Sequence, residues 1–302
     1  MNARAPLEQP VWRSLLFVPA NNKRFVDKAH TRGADAIILD LEDSVPVAER
    51  PGARRGLADA VGLVGRVGTD VLVRINSEPD EAAADLDAAV QPGVRALLVP
   101  KVEDPDVLRA LSADVSRLES DRSMPDGGVA FVVLVESPAG LLRAEAIARA
   151  DPRTVAMELG GEDFALSAGM LPDAETLAVP KQMVLYAARA AGIMPLGIFG
   201  SIAHYADLDA YRATAERSRR FGFEGAACIH PSNVPILNNV FTPSAEDVER
   251  ARLLVEAYAE AQRAGSGAIS VDGNMIDVPV VIRAQNLLAR HAAIRIRSEA
   301  SD

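Results

Sequence analysis

Between residues 14 and 231 the chain carries eight short apolar runs, each closed by polar residues and separated from the next by an amphipathic stretch. They are SLLFVP (14–19), AIILDLED (36–43), VLVRIN (71–76), ALLVPK (96–101), AFVVLVE (130–136), TVAMELGGEDF (154–164), the weaker IMPLGIF (193–199) and GAACIHP (225–231). Runs this short and this rich in Val, Ile and Leu suit parallel strands covered on both faces. The stretches between them repeat apolar residues at helical spacing. NKRFVDKAHTRG is expected to end at Gly33, Asp104 and Pro105 to open a helix, Pro138 to open another, and Gly192 and Gly222 to close two more. Eight strand–helix units predict an α/β fold, a closed (β/α)8 TIM barrel over residues 12–240. An open doubly wound sheet is the alternative. The first strand, however, runs into PANNKR with no glycine cradle, and no P-loop is present.

After residue 231 the rhythm changes. TPSAEDVERARLLVEAYAEAQRAGSG predicts a long helix capped by Thr242 and running to Gly265. AISVDGNMIDVPVVIRAQNLLARH predicts a short hairpin and a further helix. This C-terminal extension, residues 241–302, is too small to fold alone and is expected to pack on its own barrel or on a neighbouring subunit.

Bulk properties exclude several classes. A net charge of -10 and 4% aromatic residues disfavour nucleic-acid binding, since no field draws in phosphates and few rings can stack on bases. No apolar stretch approaches transmembrane length, and the N-terminus shows no apolar signal core, so a cytoplasmic protein without a membrane partner is expected. The single cysteine, Cys228, excludes an internal disulfide framework and reads as a buried, inert thiol.

The polar residues that close the strands are the chemical signal. They are Asp40, Glu42 and Asp43; Arg74 and Asn76; Lys101; Glu136; Glu158, Glu162 and Asp163; and His230. A barrel turns such strand ends into one mouth. Glu136 and Asp163 follow the fifth and sixth strands, and two convergent carboxylates either share a proton or bind a cation. A hard cation fits, because the four histidines lack zinc-motif spacing and magnesium takes one or two carboxylates with waters and substrate oxygens. Arg74 can hold a carboxylate in a bidentate fork, or form a structural ion pair with a neighbouring strand-end acid. Asn76 shapes its loop, and Lys101 either binds a phosphate or balances the acids.

RSLLFVPANNKRFVDKA, DAIILDLEDSV, VLVRIN, LLVPKVE, VLVESPAGL, LGGEDFA and GFEGAACIHPSNV occur in the order seen in the citrate lyase beta-subunit-like branch of the HpcH/HpaI aldolase superfamily, which the chain resembles from residue 12 to about residue 289. Malyl-CoA and citramalyl-CoA lyases stand close to that branch. The resemblance implies a (β/α)8 barrel in homotrimers or homohexamers. It implies Glu136 and Asp163 as ligands of Mg2+, and Arg74 on the substrate's carboxylate and its oxo or hydroxy end. Arg13 is expected near CoA or a carboxylate, and Lys101 on the CoA phosphate side. Asp40, Glu42 and Asp43 are expected to support the metal loop, with Glu42 bonding a metal-bound water.

VDGNMIDVP resembles a C-terminal signature of the malyl-CoA lyases, in which an aspartate reaches a neighbouring subunit's site as acid/base. Asp277 is the first choice for that role and Asp272 the second; the competing reading is a simple turn at Asp272-Gly273. The chain departs from the family pattern at Ala20, Asn22-Lys23, Ser137, Ala227 and Asn233. Ala20 bears on close backbone approach by a substrate. The implied activity is magnesium-dependent carbon–carbon cleavage or formation of a β-hydroxyacyl-CoA such as malyl-, citramalyl- or citryl-CoA. The expected ligand is a CoA thioester or a small 2-oxo or hydroxy acid, and the alternatives are a CoA-independent aldolase on a hydroxy-dicarboxylate, a malyl-CoA thioesterase or malate synthase-like activity, and a noncatalytic subunit of a lyase complex.

Overall fold

A computed structural model describes residues 9–263, 269–271 and 274–301. The expected alternation is present. β1 (Ser14–Pro19) leads to α1 (Lys23–Ala29), β2 (Ala36–Asp40) to α2 (Arg50–Gly65), β3 (Asp70–Arg74) to α3 (Pro79–Ala89), and β4 (Val94–Val99) to α4 (Pro105–Asp121). β5 (Ala130–Val135) is followed by two short helices, α5 (Pro138–Leu142) and α6 (Ala144–Ala148). β6 (Thr154–Leu159) is followed by α7 (Gly161–Ala168) and α8 (Ala178–Ala191), β7 (Met194–Pro195) by α9 (Leu208–Phe221), and β8 (Ala226–Cys228) by α10 (Val234–Val240).

All eight strands are parallel, in the order β7-β6-β5-β4-β3-β2-β1-β8. A parallel bridge between Leu196 and Gly225 joins the two ends of that order, with Gly197 N–H donating to the Gly225 carbonyl at 2.9 Å. Gly225 is needed there: a Cβ would lie 2.9 Å from the Trp12 carbonyl carbon and closer still to its oxygen. The TIM-barrel architecture read from the alternation is therefore what the chain forms.

Each strand buries both faces, as its continuous apolar run requires. Leu15, Ile38, Leu72, Leu98, Val132 and Ala156 point into the barrel with Trp12, whereas Leu16, Ile37, Val73, Leu97, Val133 and Met157 pack against the helices. Small residues on the inner face (Ala36, Ala96, Ala130, Ala156, Ala227) let the larger ones interdigitate, so the interior is filled.

Local expectations hold where side chains cap. Asp104 accepts a hydrogen bond from Asp106 N–H ahead of Pro105, and Gly192 and Gly222 close α8 and α9 in the left-handed conformation. Two expectations fail. α1 stops at Ala29, and left-handed Gly33 belongs to the following loop. The helix placed after Thr242 is capped by Ser244, whose Oγ accepts from Asp247 N–H at 3.0 Å.

Contacts within the chain form two compact units, Met1–Phe241 and Thr242–Asp302. The second contains α11 (Ala245–Arg263), an antiparallel hairpin of β9 (Ile269–Val271) and β10 (Asn274–Ile276), and α12 (Val278–Ser301). α11 and α12 pack together, and Tyr258, Ile276 and Val281 form a small apolar core. Among the described residues no helix is long and apolar enough to cross a membrane.

Candidate active site

Side chains alternate along a strand, so a residue two positions beyond an inward-facing apolar one also faces inward. Asp40 follows Ile38, Arg74 follows Leu72, Glu136 follows Leu134 and Glu158 follows Ala156. The parity that fills the barrel thus carries these four charges to its C-terminal mouth. There they line a cavity of about 300 Å³ with Phe17, Asp43, Glu162, Asp163 and Lys181. A larger groove, about 500 Å³, lies between α1 and α2, but its charged residues Lys23, Asp27, Glu49, Arg55 and Asp59 are all exposed.

Arg74 anchors one side of the mouth. Its Nε and Nη2 donate to Asp40 Oδ1 and Oδ2 at 2.6 and 2.7 Å, and its Nη1 lies 2.9 Å from Glu42 Oε2 and 3.2 Å from Asp43 Oδ2. The guanidinium sits over the Phe17 ring, 5.0 Å from its centroid. Burial pushes the Asp40 carboxyl up, but the Arg74 fork, with hydrogen bonds from Ser44 and Glu42 N–H, holds it below the usual range. Glu42 stays above that range, because burial outweighs the pull of Arg74 and Lys101. Asp40, Glu42 and Asp43 therefore meet Arg74 as the strand-end acids of an ion-pair network. Asn76 shapes its loop, donating to the Leu41 carbonyl at 2.9 Å and to Asp85 Oδ2 at 2.7 Å.

Two residues expected at the substrate make contacts within the protein. Arg13 stands before β1, at the strand-entry end, opposite the mouth; its Nε and Nη2 grip Asp35, which precedes β2, at 2.8 and 2.7 Å. Lys101 turns toward the acids. It adopts a left-handed conformation (φ 55°), donates its backbone N–H to Glu136 Oε2 at 2.8 Å, and places Nζ 2.7 Å from Glu42 Oε1. This contact is the one that the reading of Lys101 as balancing the acids calls for. His230 lies outside the cavity, stacked on Tyr205 and 2.6 Å from Ser232 Oγ.

Glu136 and Asp163 share the cavity. Asp163 sits in the first turn of α7, just beyond β6, and its carboxylate accepts no hydrogen bond among the described residues. Burial first, then the charges of Glu42 and Asp163, push the Glu136 carboxyl up to about 7. Six carboxyl groups and only two cationic groups line the cavity, so it carries excess negative charge. Among the described residues no group of three or more His, Cys, Asp or Glu converges on one point. Carboxylate oxygens such as those of Glu136 and Asp163, which line one cavity, suit magnesium better than zinc or another transition metal.

Three contributors escaped the sequence reading. Gly160 separates β6 from α7; a Cβ there would press on the Glu136 carboxylate, 2.6 Å from Cγ and 2.9 Å from Cδ. Gly161 lies over the Lys181 side chain and close to Leu177, whose Cδ1 a Cβ would meet at 3.0 Å. Lys181 shares the buried face of α8 with Val184, Leu185 and Ala188, and a lysine on an apolar helical stripe was the available signal. Gly160→Ala is expected to lower magnesium affinity by roughly 10- to 100-fold, the range seen when a ligand loses its support. Calorimetric titration of the folded variant, with circular dichroism as control, tests this.

Asp277 caps α12. It is half-buried, and its Oδ1 accepts from Val280 N–H at 3.4 Å. Asp272, the second choice, lies outside the described residues.

Residues 13–231 match the family model described as HpcH/HpaI aldolase/citrate lyase. The chain is 32% identical over 280 residues to the citrate lyase subunit beta of Leuconostoc mesenteroides subsp. cremoris, covering 91% of this chain and 92% of that one. It is 34% identical over 287 residues to a (3S)-malyl-CoA thioesterase of Cereibacter sphaeroides, covering 94% and 95%. Among solved structures, CitE from Mycobacterium tuberculosis in complex with magnesium, acetoacetate and coenzyme A superposes with a TM-score of 0.72 at 30% identity, covering 92% of this chain and 97% of that one.

Proposed function

The chain belongs to the HpcH/HpaI aldolase/citrate lyase family, and from there we propose that it is a magnesium-dependent carbon–carbon lyase acting on a β-hydroxyacyl-CoA such as malyl-, citramalyl- or citryl-CoA. One observation carries this reading: Glu136 and Asp163 face one cavity with excess negative charge beside a guanidinium. The relative solved with magnesium and coenzyme A supports it.

Glu136 and Asp163 would hold the ion. When bound, magnesium supplies positive charge beside the oxygen on which negative charge builds during cleavage. Arg74 directs the hydrogen-bonding capacity its acids leave free toward the substrate carboxylate and fixes its orientation. Asp40, held ionised by that guanidinium, keeps Arg74 from rotating. Glu42, held between Arg74 and Lys101, would orient a water beside the ion. In the cleavage direction a general base, for which the carboxylates lining the cavity are the available groups, takes the β-hydroxyl proton; the bond between the hydroxyl-bearing carbon and the acyl α-carbon breaks, and a 2-oxo acid and a thioester enolate form. Asp277 protonates the enolate carbon in this reading, and takes that proton away in the condensing direction.

A second reading is favoured by the 34% identity to a malyl-CoA thioesterase: hydrolysis of the thioester, with the carbon skeleton left whole. Incubation with malyl-CoA, citramalyl-CoA and the free hydroxy acids, with magnesium and then with EDTA, separates the readings. Lyase activity yields a 2-oxo acid and an acyl-CoA only with magnesium; hydrolysis releases free CoA thiol. Cleavage of the free acids alone would reject the thioester. In the same assay Asp277→Asn is expected to lose turnover while keeping metal affinity, and normal turnover would remove Asp277 from the mechanism.

A further inference from the structure

The side of the mouth opposite Arg74 is governed by one buried cation. Lys181, 5% exposed, extends from α8 beneath Gly161 and donates its Nζ to the carbonyls of Ile198, at 2.5 Å, and Gly200, at 2.7 Å. Both acceptors belong to the segment between β7 and α9, which turns through two left-handed glycines, Gly197 and Gly200. That segment then forms a wall of the cavity through Gly200, Ser201, Ile202 and Ala203. It is tied at two further points: Ser201 Oγ donates to Glu162, and Phe199 N–H donates to Ser218 Oγ at 2.9 Å. The charges facing Lys181 are Glu158 and Glu162. Glu158 is itself buried, and its carboxylate accepts from the Ala227 N–H of β8.

A lysine ammonium is expensive to bury and needs a compensating role. Here its hydrogen bonds end on main-chain carbonyls of one loop, and its charge lies among the acids on the Asp163 side of the cavity. We propose that Lys181 is a positioning residue: it pins the 196–206 loop as a wall of the mouth and sets the charge balance on which paired cation and anion binding depends. The second half of this inference rests on the lyase reading; the first half does not. Lys181 acts through the loop and through its field, without contact with reacting atoms.

The two effects have different signatures. Removing a positive charge from a shared cavity strengthens cation binding and weakens anion binding, by Coulomb's law. Mere structural damage weakens both. In the full chain Lys181→Met is expected to speed amide exchange in residues 196–206 by about tenfold or more, with the barrel strands still protected. It is also expected to tighten magnesium binding severalfold while pyruvate, used as a 2-oxo acid probe on the magnesium-loaded protein, binds about fivefold or more weakly. Lys181→Arg should recover loop protection and pyruvate affinity in part; Lys181→Gln, which keeps a donor but no charge, serves if the methionine variant does not fold. Unchanged exchange in 196–206 overturns the proposal, and so does a fall in magnesium and pyruvate affinity together. Absence of magnesium binding by the wild-type protein instead overturns the lyase reading, and loop exchange alone then decides the role of Lys181.

Discussion

Asp163→Asn is expected to reduce magnesium affinity by more than about 100-fold and to remove turnover, while the melting temperature stays within a few degrees of wild type. The loss should exceed the roughly 10–100-fold cost of an outer partner because a ligand itself is replaced. Stability should survive because the Asp163 carboxylate makes no hydrogen bond among the described residues, so the amide strands no buried partner. If anything the apo protein gains, since one of six mutually repelling carboxyl groups loses its charge. Glu136 adds a pH signature. Its carboxyl, raised to about 7, keeps its proton at mildly acid pH, and a protonated carboxyl cannot ligate. Wild-type affinity should therefore fall about tenfold per pH unit below about pH 7. Calorimetric titration of magnesium at a series of pH values measures both effects.

The largest stability effect is expected far from the mouth. Arg153 and Glu119 are fully buried at the strand-entry end of β5 and β6 and meet in a two-armed pair, Nη1 to Oε1 at 2.9 Å and Nη2 to Oε2 at 2.5 Å. Every remaining capacity is used: Glu119 accepts from Gly127 and Val129 N–H, and Arg153 donates to Ser112, Ser116 and the Val129 carbonyl. Glu119→Ala leaves that buried guanidinium only the exposed Asp126 carboxylate, 3.4 Å from Nη2, at a cost of about 3–5 kcal/mol. For a unit of this size that is a drop of roughly 10 °C in Tm. The sign with pH is fixed as well. Burial raises the Glu119 carboxyl, but Arg153 and the two N–H groups more than reverse this and hold it below 4.5. The pair's contribution is thus complete above the ordinary glutamate range and is lost as pH falls through the depressed value. Thermal melts should show the gap between wild type and variant closing in acid. An equal gap at all pH values would mean that Glu119 acts through packing alone.

The barrel was legible because both inputs were local: apolar runs bounded by polar residues, and helices between them. The register that brings Asp40 beside Arg74 was not, since it depends on β2 pairing with β3 at that residue. That pairing decides what Arg74 does in the resting protein, where its fork is filled by Asp40 before any substrate arrives. The Arg13 expectation came from the resemblance alone; its pairing with Asp35 at the strand-entry end depends on a contact that no sequence spacing announces. Lys101 needed a left-handed backbone to turn its N–H on Glu136 and its ammonium on Glu42, which no spacing announces. Gly160 was visible only as half of a Gly-Gly pair, until the place its missing side chain would occupy proved to be Glu136.

The central claim is that Glu136 and Asp163 hold one divalent cation. Anomalous diffraction from crystals grown with manganese in place of magnesium tests it most directly. A single strong peak about 2.1 Å from an oxygen of each carboxylate is the result expected for a hard, oxygen-bound ion. A peak elsewhere in the barrel, or a manganese-saturated protein with neither carboxylate in contact with the metal, would contradict it.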